Sequence, residues 1–471
     1  MNGWTITEKE WGKVRAALNR KSMLHLLDEA VGRHPASPRR RAPFRCAILD
    51  ARYDPSSSWN VLYQLDERLV LGMLGWNGAT RSPPDGARSI NGLGMQVYVF
   101  PEDPSLTRLA DTLDPEAMKA LLSRVLPDCR TGRARVLRCR TQLVRYRPTR
   151  RCTLRIDYWL VAAESGAIVP RVLYAKVYHD LAKAKAVYEE MKLLFAAPSL
   201  AAGGIAVARP VAFVPELAVI LQEPLVGTPL EGLLEWRHAP DSRRVSDGVV
   251  GAAAALAVLH AAGLDTARRR PVAPIIQRAA RRAAQVGRVD RELGRRVSRL
   301  AVALAESLDE LDGWGAETAL VHGDCKPSQF LIGSSRVAIL DFDHCGMADP
   351  ASDVGAFLAT LRQLDVRRSA RAQAAPAPAP APCERGHRPG SLGRRFLAEY
   401  VERAGASPGL RPRAHWYEAA ALLRKAIRAF QRCPWSPLPA LLVDEAWCCL
   451  ELSGSTGVDD HIGRRAQGRV P

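Results

Sequence analysis

VHGDCKPSQFLIGSSRVAILDFDHCG, residues 321–346, sets one lysine and three aspartates around two runs of β-formers, in a chain whose positive charge is otherwise carried mostly by arginine. ALVHGD ends an apolar run at a carboxylate, CKPSQ reads as a turn, FLI and RVAIL are short strands parted by GSS, and DFD follows the second strand. That order predicts a β-hairpin that delivers Asp324 and Gln329 at one mouth, with Asp341 and Asp343 beside them.

Clustered carboxylates repel one another and cost several kcal/mol to bury without a cation. Such an arrangement holds a metal, and oxygen-only ligands point to Mg²⁺ or Mn²⁺, which keep several waters and bind substrate phosphates. A pair of turn-capping carboxylates is the plainer reading, and the hairpin spacing with its apolar flanks weighs against it.

His-Gly-Asp, an amide side chain five residues after that Asp, and Ile-Leu-Asp-x-Asp about a dozen residues later resemble the catalytic core of the aminoglycoside phosphotransferase and choline kinase-like family. GMADPASDVGAFLA (346–359) is similar to that family's Gly-Asp-Pro-x-x-Asp-Leu-Ala segment. Upstream, AKVY places Lys176 on a strand, and the helical LAKAKAVYEEMKLLF that follows carries Glu189 and Glu190, which resembles the Lys-Glu pair of kinase-like folds. On a helical projection Glu190 lies nearer the apolar arc of Val187, Met191 and Leu194, so Glu190 is the expected partner. LQEPLVGTPL (221–230) resembles the hinge between two lobes, and LAVLHAAG (256–263) the helix beneath the catalytic loop.

The resemblance covers about residues 140–455 and implies a bilobal protein-kinase-like fold of α+β class, with ATP and Mg²⁺ as cofactors. It implies that Asp324 accepts or orients the proton of an attacking hydroxyl, and that Asp341 chelates Mg²⁺ with Gln329 as second ligand and Asp343 as a further contact. By the same resemblance Lys176 would contact the nucleotide phosphates, held by Glu190. The resemblance further implies that backbone groups of residues 222–225, those of Glu223 and Leu225 among them, bind an adenine edge, and that His322 and Asp353 brace the catalytic loop. Two departures stand out. The family usually has Asn where this chain has Gln329, a difference of one methylene with the same oxygen donor. The phosphate-covering turn VRYRPTRRCTLR (144–155) offers Arg147, Arg150 and Arg151 in place of glycine, so that guanidinium forks replace close backbone approach.

Working outward, 471 residues with nearly half of them apolar make two or three globular domains. The sequence has no run of about 18 uncharged apolar residues, and MNGWTITEKEW lacks the order of a signal peptide. A soluble cytoplasmic chain without a membrane partner is expected. The ten cysteines include no C-x-x-C pair, and Cys325, Cys345 and the rest read as reduced core thiols. A net charge of +18 invites a nucleic-acid reading. Only ten of the 67 basic residues are Lys and the chain is rich in Ala, Gly and Pro, a pattern of GC-rich coding, and no aromatics interleave the Arg stretch 277–296 for base stacking. Nucleic acid is therefore set aside.

Residues 6–33 read as one helix, followed by strands at PFRCAILDARYD, SWNVLYQL, RLVLGMLGW and GMQVYVF, the second and third joined as a hairpin around Asp66 and Glu67, and by a helix capped by Asp114 with Pro115 in its first turn. Residues 1–135 form an N-terminal α+β extension, 136–226 a β-rich N-lobe, and 227–460 a helical C-lobe. Within the last, the Ala-Pro alternation of 367–392 predicts a disordered loop, and 461–471 are a polar tail.

The expected activity is transfer of the γ-phosphoryl group of ATP to a hydroxyl of a small molecule: an aminoglycoside, a sugar, an amino alcohol or a related metabolite. Dense arginine over 268–297 favours a neutral or anionic acceptor, provided those side chains face the pocket. A nucleotide-binding scaffold without turnover is the alternative. Oligomeric state is not legible.

Overall fold

The computed structural model describes residues 8–32, 45–54, 58–75, 88–235, 242–308, 318–373, 391–405 and 409–454. The chain divides into two compact units, one of residues 1–195, 208–224 and 431–433, the other of 196–207, 225–430 and 434–471. Among the described residues no helix is long and apolar enough to cross a membrane.

The first unit is strand-rich. It opens with α1 (Glu8–Ala17) and α2 (Arg20–Val31) where one helix was expected. Asn19 divides them, because its side-chain oxygen accepts from the N–H groups of Lys21 and Ser22 at 3.1 and 3.4 Å and starts a new helix. Five strands follow: β1 (Cys46–Asp54), β2 (Ser58–Leu65), β3 (Arg68–Gly75), β4 (Arg88–Ile90) and β5 (Met95–Val99), in an antiparallel sheet of order β1-β2-β3-β5-β4. The β2–β3 hairpin turns at Asp66, as the sequence predicts, with φ of +52°. After α3 (Leu109–Leu113), α4 (Pro115–Val125) starts where expected, its Asp114 cap accepting from Ala117 N–H at 2.7 Å, and α5 (Pro127–Arg130) follows.

A second sheet is built from β6 (Ala134–Arg147), β7 (Arg151–Ala162) and β8 (Ile168–Tyr178), and α6 (Leu181–Ala196) comes next. The chain then contributes α7 (Pro198–Ala202) and β9 (Ile205–Ala206) to the other unit before β10 (Pro210–Val214) and β11 (Val219–Gln222) complete the order β10-β11-β8-β7-β6. Two cores fill this unit. One packs α1 and α2 on the first sheet through Val14, Met23, Leu27, Tyr63 and Val70. The other joins Leu106, Leu109, Met118 and Leu122 to Val136, Leu154, Ile156 and Val177. The expected boundary at 135/136 is therefore not a boundary of packing: α4 lies on β6, and one continuous core runs across it.

The second unit is mainly helical. It contains β12 (Thr228–Pro229), α8 (Leu230–Glu235), α9 (Ser242–His260), α10 (Ala273–Gly287), α11 (Arg291–Glu306), β13 (Ala319–Val321), β14 (Phe330–Ile332), β15 (Val337–Ile339), β16 (Gly346–Ala348), α12 (Ala351–Gln373), α13 (Ser391–Ala404), α14 (Leu410–Arg432) and α15 (Leu438–Gly454). Residues 196–207 belong here, not to the first unit as the sequence reading had it, because β9 pairs in parallel with β15 and α7 packs on β9. The expected loop 367–392 is also corrected at its ends: α12 runs on to Gln373, through Arg, Ala and Gln with no proline to stop it, and α13 starts at Ser391. Residues 374–390 and the tail 461–471 lie outside the described residues. Buried ion pairs tie the late helices together, with Arg362 on Glu418 at 2.7 Å and Glu445 at 3.0 Å, and Arg413 on Asp349 at 2.9 Å.

Candidate active site

In the second unit the hairpin forms as the sequence predicts, β14 pairing antiparallel with β15. Gln329 ends a short 3₁₀ turn (Pro327–Gln329) just before β14, and its carbonyl accepts from Leu340 N–H at 2.8 Å just after β15. Gln329 and Asp341 are thus carried to the same end of the hairpin. The catalytic loop is fastened to that end by His322, which is fully buried. Its Nδ1 accepts from Asp324 N–H at 3.2 Å, which fixes the proton on Nε2, and Nε2 donates to Leu340 O at 2.7 Å. Asp353, at the start of α12, accepts from the N–H groups of His322 at 2.5 Å and Gly323 at 2.9 Å, and lies 3.3 Å from His260 Nε2. Burial opposes the Asp353 charge, yet His260, His322 and the Gly323 N–H hold its carboxyl below the ordinary range.

Gly323 sits at φ +77°, and a Cβ there would stand 2.0 Å from His344 O, so the loop closes only with glycine. Asp324 forms an ion pair with Lys326. Burial alone would raise its carboxyl, but Lys326, Arg424 and His322 together bring it down to about 2. Lys326 is a site residue that the sequence reading passed over. Its signal is a lysine two places after Asp324 in a chain that rarely uses lysine. Cys325 is buried and its thiol is pushed up by that burial, which makes it a packing residue and no nucleophile.

Asp341 has φ of +65°, a left-handed conformation that a non-glycine residue adopts at a cost of roughly 1–2 kcal/mol. Asp343 is buried, and its carbonyl accepts from Arg268 at 3.1 Å. Among the described residues no group of three or more His, Cys, Asp and Glu side chains is placed to hold a metal ion. The expected ligand set does not need one, since it is two carboxylates and an amide. Gln329 is buried, and among the described residues its amide nitrogen has no hydrogen-bond partner. Rotating that amide by half a turn puts a carbonyl oxygen, free of protein donors, in the same position. An oxygen of that kind with two carboxylates suits Mg²⁺.

In the first unit Lys176 lies on β8, between β7 and β11 in the middle of the sheet, in register with Thr153 and Ile220. Lys176 and Glu190 are both buried, and neither is without a partner. Glu189, the rejected neighbour, is exposed and pairs with Lys192 at 2.7 Å. Arg151 is buried at the start of β7 and Arg150 is exposed in the turn before it, with the Arg150 carbonyl accepting from His179 N–H at 3.3 Å. At the end of β11, Glu223 N–H donates to Arg209 O at 2.9 Å. Leu225, also expected from the sequence to present its backbone to a nucleotide, belongs to the second unit.

The β6–β7 turn has a support that no local pattern announces. Asp103 Oδ2 accepts from Tyr146 OH at 2.7 Å and from Thr149 N–H at 2.8 Å, while Oδ1 accepts from Ser105 and Leu106 N–H. Thr149 stands at φ +60° and is held there by that bond. Asp103→Ala should cost about 1–3 kcal/mol through the donors left unpaired and weaken Mg-ATP binding severalfold, measured by urea denaturation and by nucleotide titration. Asp103→Asn should recover part of both.

Residues 157–384 match the model of the phosphotransferase enzyme family. No curated protein matches the chain. Among solved structures, a putative fructosamine-3-kinase from Thermobifida fusca is 18% identical, with 71% of this chain and 98% of that one covered and a TM-score of 0.42. A choline kinase from Streptococcus pneumoniae is 11% identical over 71% and 98% of the two chains, at 0.43. A macrolide 2'-phosphotransferase from Brachybacterium faecium is 18% identical over the same shares, at 0.40. The family match takes in the strand lysine, the His-Gly-Asp loop and both acidic motifs, and over residues 157–384 this chain is similar to the phosphotransferase enzyme family.

Proposed function

We propose that this chain is an ATP- and Mg²⁺-dependent kinase that moves the γ-phosphoryl group to a hydroxyl of a small molecule. The observation that carries the reading is the lock of His322 and Asp353 on the catalytic loop, which fastens Asp324 to the hairpin end bearing Gln329 and Asp341. A scaffold without turnover has no use for a buried network dedicated to one carboxylate.

In this reading Asp324 accepts a hydrogen bond from the acceptor hydroxyl and orients its oxygen. With its carboxyl held near 2, Asp324 is ionised but a weak base. That suits phosphoryl transfer, where the transition state is loose and the proton leaves late. Lys326 neutralises Asp324 until substrate arrives, and its ammonium is then available to a phosphate oxygen. Gln329, Asp341 and Asp343 would hold Mg²⁺, which supplies charge neutralisation to the phosphates when bound. Lys176, held by Glu190, together with Arg150 and Arg151, would contact nucleotide phosphates, and the backbones of Glu223 and Leu225 would read the adenine edge. His322 and Asp353 position the loop.

The test is transfer of label from γ-labelled ATP to a panel of hydroxyl compounds, with and without a chelator. Nucleotide binding with no transfer to any acceptor, unchanged by loss of Asp324, would overturn the reading in favour of a binding module. Gln329 gives a sharper measurement. Gln329→Asn should keep activity within about tenfold, while Gln329→Leu should lower it about 100-fold and raise the Mg²⁺ concentration needed for half-maximal rate.

A further inference from the structure

One short segment of the second unit reaches both loops that carry the candidate site's carboxylates. Residues 264–270 (LDTARRR) follow α9 with the rhythm of a strand: Leu264, Thr266, Arg268 and Arg270 are partly buried, and Asp265, Ala267 and Arg269 are exposed. Backbone bonds fix the segment to β16, with Met347 N–H donating to Arg268 O at 2.8 Å and Arg270 N–H to Met347 O at 3.0 Å. Arg269 is turned outward and pairs with Asp265 at 2.8 Å. Arg268 Nη1 donates to the carbonyls of Asp343 at 3.1 Å and Cys345 at 3.2 Å. Arg270 Nη1 donates to His344 O at 2.5 Å, and its Nη2 to Gly323 O at 3.4 Å. The carbonyls of three consecutive residues, 343 to 345, are thus all taken by two guanidinium groups. The approach is close, since a Cβ on Gly346 would stand 2.9 Å from Arg268 O and 3.2 Å from the Arg270 stem.

Gly323 precedes Asp324 and His344 follows Asp343, so Arg270 ties the backbone beside one carboxylate to the backbone beside another. His322 makes the matching tie at the other end of the acidic motif, through its bond to Leu340 O. Residues 341–343 are therefore stapled to the catalytic loop on both sides, by an imidazole before them and a guanidinium after them. A guanidinium is planar and presents its donors as a rigid fork, which fixes how far apart its two acceptors stand. Phosphoryl transfer depends mainly on positioning, and a displacement of about 1 Å at the reacting groups costs on the order of 100-fold. We propose that Arg270 and Arg268 are positioning residues of the transfer reaction: Arg270 sets the separation of Asp324 from Asp341 and Asp343, and Arg268 holds the 343–345 backbone on which the metal contact of Asp343 depends. This rests on the phosphotransferase reading. Because their bonded N–H groups are directed at backbone carbonyls, these two members of the 268–297 arginine stretch do not speak for an anionic acceptor.

The test uses the full-length protein and separates the two roles. With the best acceptor of the labelled-ATP panel, Arg270→Met should lower kcat about 100-fold, while the KM for ATP and the affinity for Mn²⁺ with ADP, read by electron paramagnetic resonance, stay within about threefold. Arg268→Met should weaken that Mn²⁺ binding about tenfold or more, and a higher metal concentration should restore most of its kcat. Arg269→Gln, on the outward face, should change neither quantity. Arg270→Lys keeps the charge and loses the fork, so it should be nearly as slow as Arg270→Met, and it carries the same measurement should the methionine variant fail to fold. Full recovery by lysine, or a lower melting temperature in both the Arg268 and Arg270 variants with no split between kcat and metal affinity, overturns the proposal.

Hydrogen exchange of the nucleotide-free protein gives a readout that needs no turnover. The amides of residues 322–324 should exchange about tenfold faster in Arg270→Met and at the wild-type rate in Arg269→Gln. Faster exchange in Arg270→Met, with no turnover of any acceptor by the wild type, upholds the tie between the loops and sinks the kinase reading. Unchanged exchange, with transfer by Arg270→Met within about threefold of the wild type, overturns the tie and leaves the kinase intact.

Discussion

Asp324→Asn should lower phosphoryl transfer by roughly three orders of magnitude, within the range general bases contribute, while leaving Mg-ATP affinity within about threefold. The substitution keeps the shape of the side chain and removes its charge. It also removes the carboxylate charge from the ion pair with Lys326, so a loss confined to the chemical step distinguishes a base or orienting group from a structural aspartate. Single-turnover kinetics with a nucleotide titration separate the two, and a loss smaller than tenfold would sink the assignment. The pH profile gives a second check. Because the folded carboxyl is held near 2, below its unfolded value of 3.8, its contribution to stability is present above the unfolded value and lost as pH falls toward 2. No limb of the rate profile between pH 5 and 9 should belong to Asp324.

Asp353→Ala should be the most damaging change to the second unit, costing about 3–5 kcal/mol. The carboxylate is buried and accepts two backbone N–H groups from consecutive residues of the catalytic loop, with His260 beside it. Removing it leaves both donors unpaired in the interior and deprives Arg270 of a nearby counter-charge. Urea denaturation measures the loss, and circular dichroism with single-turnover kinetics shows whether the surviving fold is active. A cost below about 1 kcal/mol would mean that water or another side chain replaces the carboxylate. Asp353→Asn should recover little, since its amide N–H₂ would face the donors. The depressed Asp353 carboxyl follows the same sign as Asp324: its contribution is full above the unfolded value and fades in acid.

The sequence reading reached the hairpin, the Asp114 cap, the β2–β3 turn and the burial of Glu190 over Glu189 because each depends on residues within a few positions of one another. Where it failed, the deciding partner lay far away or the local pattern was neutral. A continuous helical pattern hid the cap at Asn19. The β9–β15 pairing joins residues more than a hundred apart, and nothing in GIA marks it as belonging with the catalytic hairpin. Asp103 lies in PEDPSL, an acidic turn by composition, and its two remote partners are 43 and 46 residues downstream.

Asp103 changes what counts as the unit of inheritance in this chain. Its four hydrogen bonds and the core shared by Leu106, Met118 and Leu154 make the first hundred-odd residues a folding partner of the arginine-rich turn, so the segment from Ala134 onward is not a separable cassette. A fragment cut there would expose apolar surface and leave Thr149 to relax from its left-handed backbone. In any lineage that sheds the early segment, the turn has to be rebuilt on another anchor, with glycine in the place now made tolerable for threonine.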